Sequence, residues 1–159
     1  MLFRSQGTID LGGFTLSTGS FASTGTSSRS IAFGSGSIAL TSTTGATTVL
    51  NLTGSSFSFT GTSNFTRNMA ATATVTNTIS TVPVNLTVNA GASALTVTAT
   101  SYFINLNFTG STSTVTGTAS ISSTGVLTLD TGGTYTSLSV VYAGTTTDRK
   151  STRLNSSHT

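Results

Sequence analysis

The chain has 159 residues, including 38 Thr, 27 Ser and 17 Gly, with one Pro, no Cys, no Glu and a formal charge of +3. The lack of Cys removes disulfides and thiolate metal sites, and no run approaches eighteen consecutive apolar residues, so nothing spans a membrane as a helix. Thr, Val, Ile, Phe and Tyr favour strands, Gly and Asn favour turns, and no apolar series repeats at helical spacing, so the chain reads as all-β.

In chain order, the first stretch stands apart. Met1–Ser5 resembles the translation of one end of a short-read sequencing adapter, and Asp148–His158 resembles the other over eleven consecutive residues. Both are therefore set apart as adapter-derived, with the tail 148–159 expected to be disordered and residues 6–147 taken as the native segment. That segment holds only Asp10, Arg29, Arg67 and Asp130 as charged residues, so it is close to neutral. No basic patch is left to steer a nucleic acid or an anionic membrane.

Short apolar alternations follow: Ile9/Leu11, Phe14/Leu16, Ile31/Phe33, Ile38/Leu40, Leu50/Leu52 and Phe57/Phe59. Alternation with period two gives a strand one apolar and one polar face. The stretch from Arg29 to Thr41 is the clearest unit, with Gly34-Ser35-Gly36 as a corner between two strands. From Met69 to Thr81 apolar content falls, which predicts a loop or irregular turn. Alternation resumes at Val82/Val84/Leu86/Val88, Leu95/Val97, Ile104/Leu106/Phe108, Leu127/Leu129 and Leu138/Val140/Tyr142. Pro83 cannot donate to a ladder, which places it at a strand start or a sheet edge. Arg29 and Arg67 are expected as solvated corner residues.

The spacing of these bursts suits a sandwich, a barrel or a solenoid. Residues 51–62 align with 107–118 at seven of twelve positions, including the glycine pairs Gly54/Gly110 and Gly61/Gly117. This divides the chain into the end of a preceding repeat (6–30), one copy at 31–87 and a second at 88–147. Short strands, glycine corners and few charges predict a parallel β-helix or β-solenoid, in which stacked coils join thin apolar strips into one core. Antiparallel β-sandwich modules are the alternative.

The Arg29–Thr41 pattern, followed by segments such as Asn51-Leu52-Thr53-Gly54, resembles the Ser/Thr/Gly-rich repeats of large bacterial surface proteins and phage tail or fibre proteins. The resemblance implies a β-helical, non-enzymatic segment located outside the cell, at its surface or on a virion. Its implied partners are a cell-surface glycan or neighbouring subunits of a fibre.

Chemistry-bearing constellations are sparse. Asp10 and Asp130, the only acids of the native segment, lie 120 residues apart, whereas hydrolysis by paired carboxylates needs two acids a few ångströms apart. No His of that segment could activate a Ser nucleophile, and Gly34-Ser35-Gly36 precedes no helix that could cradle a phosphate. Calcium-binding β-roll repeats need a recurrent Asp. The expectation is no enzyme, no cofactor and no metal. Asn-x-Ser/Thr sequons at Asn51, Asn64, Asn85, Asn107 and Asn155 are no more frequent than composition predicts. One feature has a sharper reading. Thr72, Thr74 and Thr76, then Thr96, Thr98 and Thr100, then Thr112, Thr114 and Thr116 each place hydroxyls on one strand face. Such faces could bind ice or a glycan, although Thr covering the solvent side of a strand needs no ligand.

Overall fold

The computed structural model describes residues 6–45, 47–89, 91, 93–135 and 137–142; the adapter-like segments lie outside them. The chain winds through three strands per turn. The first turn holds β1 (Gly7–Asp10), β2 (Thr15–Thr18) and β3 (Phe21–Ser23), and the second β4 (Arg29–Gly34), β5 (Ser37–Leu40) and β6 (Thr47–Leu52). A third follows with β7 (Phe57–Gly61), β8 (Asn64–Arg67) and β9 (Ala73–Asn77). Beyond these lie β10 (Val84–Val88), β11 (Ala94–Asn107), β12 (Thr114–Ile121), β13 (Leu127–Thr128) and β14 (Leu138–Tyr142).

Every pairing among these strands is parallel, and each joins a strand to its counterpart one turn on. The result is a β-solenoid of about 6 turns, and the antiparallel sandwich is set aside. A parallel pair needs a connection of a dozen or more residues; here the rest of the turn supplies it. No helix among the described residues is long and apolar enough to cross a membrane.

Three stacks run along the axis. The first is β1–β4–β7, the second runs β2–β5–β8–β10 and on through the end of β11 to β13, and the third runs β3–β6–β9 through the start of β11 to the start of β12. Between Asn77 and Val84 the first stack lacks a strand. It resumes where Ser101–Phe103 pairs with Ala119–Ile121, which in turn pairs with β14. Asn77 organises this break. Fully buried, its Nδ2 donates to Val82 O at 3.0 Å and Tyr102 O at 2.8 Å, and its Oδ1 accepts the Ile79 amide at 3.1 Å.

The core is one continuous strip inside the stacks, as alternation requires. The Arg29–Thr41 unit is two strands and a corner: Gly34 has φ 55°, and a Cβ on Gly36 would sit 2.6 Å from Phe14 O of the previous turn. Pro83 stands immediately before β10, where the missing N–H costs no ladder bond.

Four expectations are corrected. Phe14 lies 78% exposed at a corner, outside the core. The stretch from Met69 to Thr81 contains β9, whose Val75 is fully buried, so only its flanks are irregular. Ile104 yields its core place to Phe103, because a bulge opposite Asn85 shifts the register of β11 by one residue.

Arg29 and Arg67 are each only 1% exposed. Arg29 fills the corner between the third and first stacks. Its Nε donates to Ser27 O at 2.8 Å, and its Nη2 donates to Gly25 O and, at 2.9 Å, to Ser55 O of the next turn. Its guanidinium also lies 5.9 Å from the centre of the Phe57 ring. Arg67 fills the corner between the second and third stacks, donating to Ala71 O at 2.8 Å and to Ser42 O, one turn back, at 3.4 Å. Its burial holds its pKa below the ordinary arginine value. Carbonyls left open by long corners make these buried charges tolerable.

Candidate functional site

The threonines singled out from the sequence separate in space. Thr48, Thr74, Thr96 and Thr116 fall in one row across four turns of the third stack. Thr114 belongs to a neighbouring row with Ala94 and Thr134. Thr76 and Thr98 join their hydroxyls between adjacent turns, and Thr98 also donates to Val75 O at 3.4 Å. That second row goes no further in register. Ala99, with φ 54°, takes part in a bulge after Val97, so that Thr100 rather than Thr98 pairs with Thr118, where the first stack resumes. Thr72 and Thr112 lie in exposed corners outside the strands. The sequence therefore places one continuous threonine row and one broken row on this face.

A second polar surface lies outside the second stack, and sequence reasoning missed it. Asn64, Asn85 and Asn105 stand one above another. Asn105 Nδ2 donates to Asn85 Oδ1 at 2.8 Å, Asn85 Nδ2 donates to Asn64 Oδ1 at 3.3 Å, and Asn105 Oδ1 accepts the Val126 amide at 2.8 Å. Beside this ladder runs the row Ala39, Thr66, Thr87, Asn107 and Thr128. The ladder, the Thr87–Asn107–Thr128 end of that row, Thr62 and Val126 line an open cleft of about 420 Å³. A readable signal existed: Asn64-x-Thr66, Asn85-x-Thr87 and Asn105-x-Asn107 recur at nearly constant spacing. The sequon pattern is the ordinary consequence of one inward residue between two outward ones.

The acids are occupied separately. Asp10 Oδ1 accepts the Gly12 amide at 2.9 Å in the first turn. Asp130, in the last, accepts the Gly132 amide at 2.9 Å and the Gly110 amide at 2.7 Å. These two bonds, Gly132 first, hold the Asp130 carboxyl below the ordinary carboxylate range. Tyr135, whose hydroxyl accepts the Asp130 amide at 3.0 Å, is pushed up mainly by burial. Among the described residues no three His, Cys, Asp or Glu side chains come together as metal ligands would. What the two outer faces offer is a set of neutral donors and acceptors at the pitch of the coil. Comparison with protein-family models, curated proteins and solved structures returns no match.

Proposed function

We propose that this chain is a non-catalytic structural or adhesive segment of a larger β-solenoid protein located outside the cell, at its surface or on a virion. The observation that carries the reading is the use made of its charges. Arg29 and Arg67 are spent on backbone carbonyls inside two corners, and Asp10 and Asp130 on turn amides at opposite ends of the stack. A catalytic carboxylate or base would instead stand in a cleft beside a partner that tunes it. Stacked ladders and an exterior with few charges among the described residues suit a stiff spacer whose outer faces meet a partner. The test is incubation of the chain with neutral and acidic polysaccharides, reading new reducing ends and unsaturated products. None are expected; release of either at an enzymatic rate would overturn the reading.

A second reading, an ice- or glycan-binding module on the third stack, is favoured by the in-register row Thr48, Thr74, Thr96 and Thr116. Thermal hysteresis that disappears in Thr96→Val is its expected result, and no hysteresis together with silence on a glycan array retires it.

A further inference from the structure

We infer that the cleft outside the second stack, built on the Asn64–Asn85–Asn105 ladder, binds an uncharged oligosaccharide lying along the solenoid axis. The inference rests on the adhesive side of the proposed function and gives it a location and a ligand class.

The ladder itself defines the chemistry. A carboxamide carries two N–H donors and an oxygen with two lone pairs. Asn85 spends one donor on Asn64 and one lone pair on Asn105, and Asn105 spends one donor on Asn85 and one lone pair on the Val126 amide. Each therefore keeps one donor and one acceptor for the cleft. Neighbouring rungs repeat about every 4.8 Å, so the spare pairs form a regular series. Vicinal hydroxyls of a sugar both donate and accept, and match such pairs. The adjacent row adds the Thr87 and Thr128 hydroxyls and the Asn107 carboxamide, and Val126, 52% exposed, offers an apolar edge for a sugar C–H face.

No charged side chain among the described residues lines the cleft. An acidic polysaccharide or a nucleic acid would want Arg or Lys there; an uncharged chain loses nothing.

The bulge in β11 is an independent observation. With the Val84–Phe103 register continued, Ile104 would face Asn85 and Asn105 would point inward. The one-residue shift places Leu106 opposite Leu86 and keeps Asn105 in the amide column. Bulges re-aim side chains in this way beside binding sites. Here the irregularity completes the ladder.

The test is a titration of the ¹⁵N-labelled full chain with uncharged hexasaccharides of glucose, mannose and N-acetylglucosamine, to about 10 mM, following the side-chain amide signals. The expected result is a saturable shift of the Asn64, Asn85, Asn105 and Asn107 amides with at least one of the three. Asn85→Ala should weaken that binding about tenfold or more, Thr87→Val should weaken it without disturbing the ladder, and Ser58→Ala, exposed on the first stack, should leave it unchanged. Three results would overturn the inference: no saturable shift with any probe, shifts centred on the Thr74–Thr96–Thr116 row, or equal or tighter binding of a hexagalacturonate. Polysaccharide cleavage would instead defeat the non-catalytic reading, and product analysis reads that separately.

Discussion

The turns before the Asn77 break and those after it solve the same packing problem with different widths. Among the early turns stacked partners reach 29 residues apart: Phe21 pairs with Leu50, 29 residues on, and Ile31 with Phe59, 28 on, while Ile9 pairs with Ile31 at 22. In the late turns Val97 pairs with Gly117, only 20 residues on. The added residues of the early turns form long corners, at 24–28 and 53–56 around Arg29 and at 41–45 and 68–72 around Arg67. Interiors pack to a nearly constant density, so a wider turn needs larger fillers. Phe21, Phe33, Phe57, Phe59 and Phe65 supply them, with ring centres 4.9 to 6.5 Å apart, and the two arginines plug the corners. The late turns have no such loop between the third and first stacks, since β11 and β12 bend straight through at Ala99 (φ 54°) and Gly117 (φ 116°). In this narrower core the smaller Val97, Leu106, Val115, Ala119 and Ile121 pack beside Phe103 and Phe108.

The contrast can be broken by substitution, and the largest effect belongs to the narrow side. A Cβ on Gly117 would lie 1.9 Å from Val97 O, at a φ that side chains rarely adopt. Gly117→Val should cost about 4 kcal/mol, from strain plus overpacking. By contrast, nothing lies within 4 Å of a Cβ on Gly19, so Gly19→Ala should stay within about 0.5 kcal/mol. Urea denaturation reads both, and similar costs would remove the distinction between tight and roomy corners.

Next comes the aromatic filling. Phe33→Ala should cost about 3 kcal/mol. Because each coil contacts mainly its neighbours, amide exchange should accelerate more around Ile31 and Phe65 than around Leu106 and Val115. Uniform acceleration would show that width does not divide the stack.

Arg67→Lys probes the plugged corner. A single ammonium cannot reproduce the fork that reaches both Ser42 and Ala71, so a loss of about 2 kcal/mol is expected from an unsatisfied buried carbonyl and poorer packing. An unchanged urea midpoint would show that the corner does not need the guanidinium.

The smallest effect is electrostatic, at the narrow end. Asp130 is held below the ordinary carboxylate range by the Gly132 and Gly110 amides, so the folded state binds its proton more weakly than the unfolded chain. The stability it contributes is complete above the unfolded value, near 3.9, and is lost as pH falls through the lower folded value. The urea midpoint of the wild type relative to Asp130→Asn should therefore decline between pH 7 and pH 3; a relative rise would reverse the assignment.

How much of this was readable varies by residue, for physical reasons. Ile31/Phe33, Ile38/Leu40 and Leu50/Leu52 announced their strands because alternation and burial coincide there, and glycine corners with few charges pointed to stacked coils. The buried arginines were not legible, since a charged residue is exposed unless a corner supplies carbonyls, and those carbonyls come from residues a turn away. Neither was the register of β11. Reading Ile104/Leu106/Phe108 as one face is the simplest alternation, and only pairing with β10 shows that Phe103 is buried and that a bulge intervenes. The asparagine ladder was hidden for the opposite reason. Its signal, a polar pair recurring once per turn, was present, but sequons are common in a chain this rich in Thr. The threonine row drew notice first because its residues are dense within single strands, whereas the amide ladder is dense only along the axis.

The central claim is the stacking itself: parallel strands whose rows join residues one turn apart. Interstrand nuclear Overhauser contacts test it most directly. The account predicts α-proton to amide contacts linking the Thr74, Thr96 and Thr116 rungs in sequence, and likewise Asn64 and Asn85, without close α-proton pairs between strands. Short α-proton to α-proton contacts between neighbouring strands, the mark of antiparallel pairing, would contradict it.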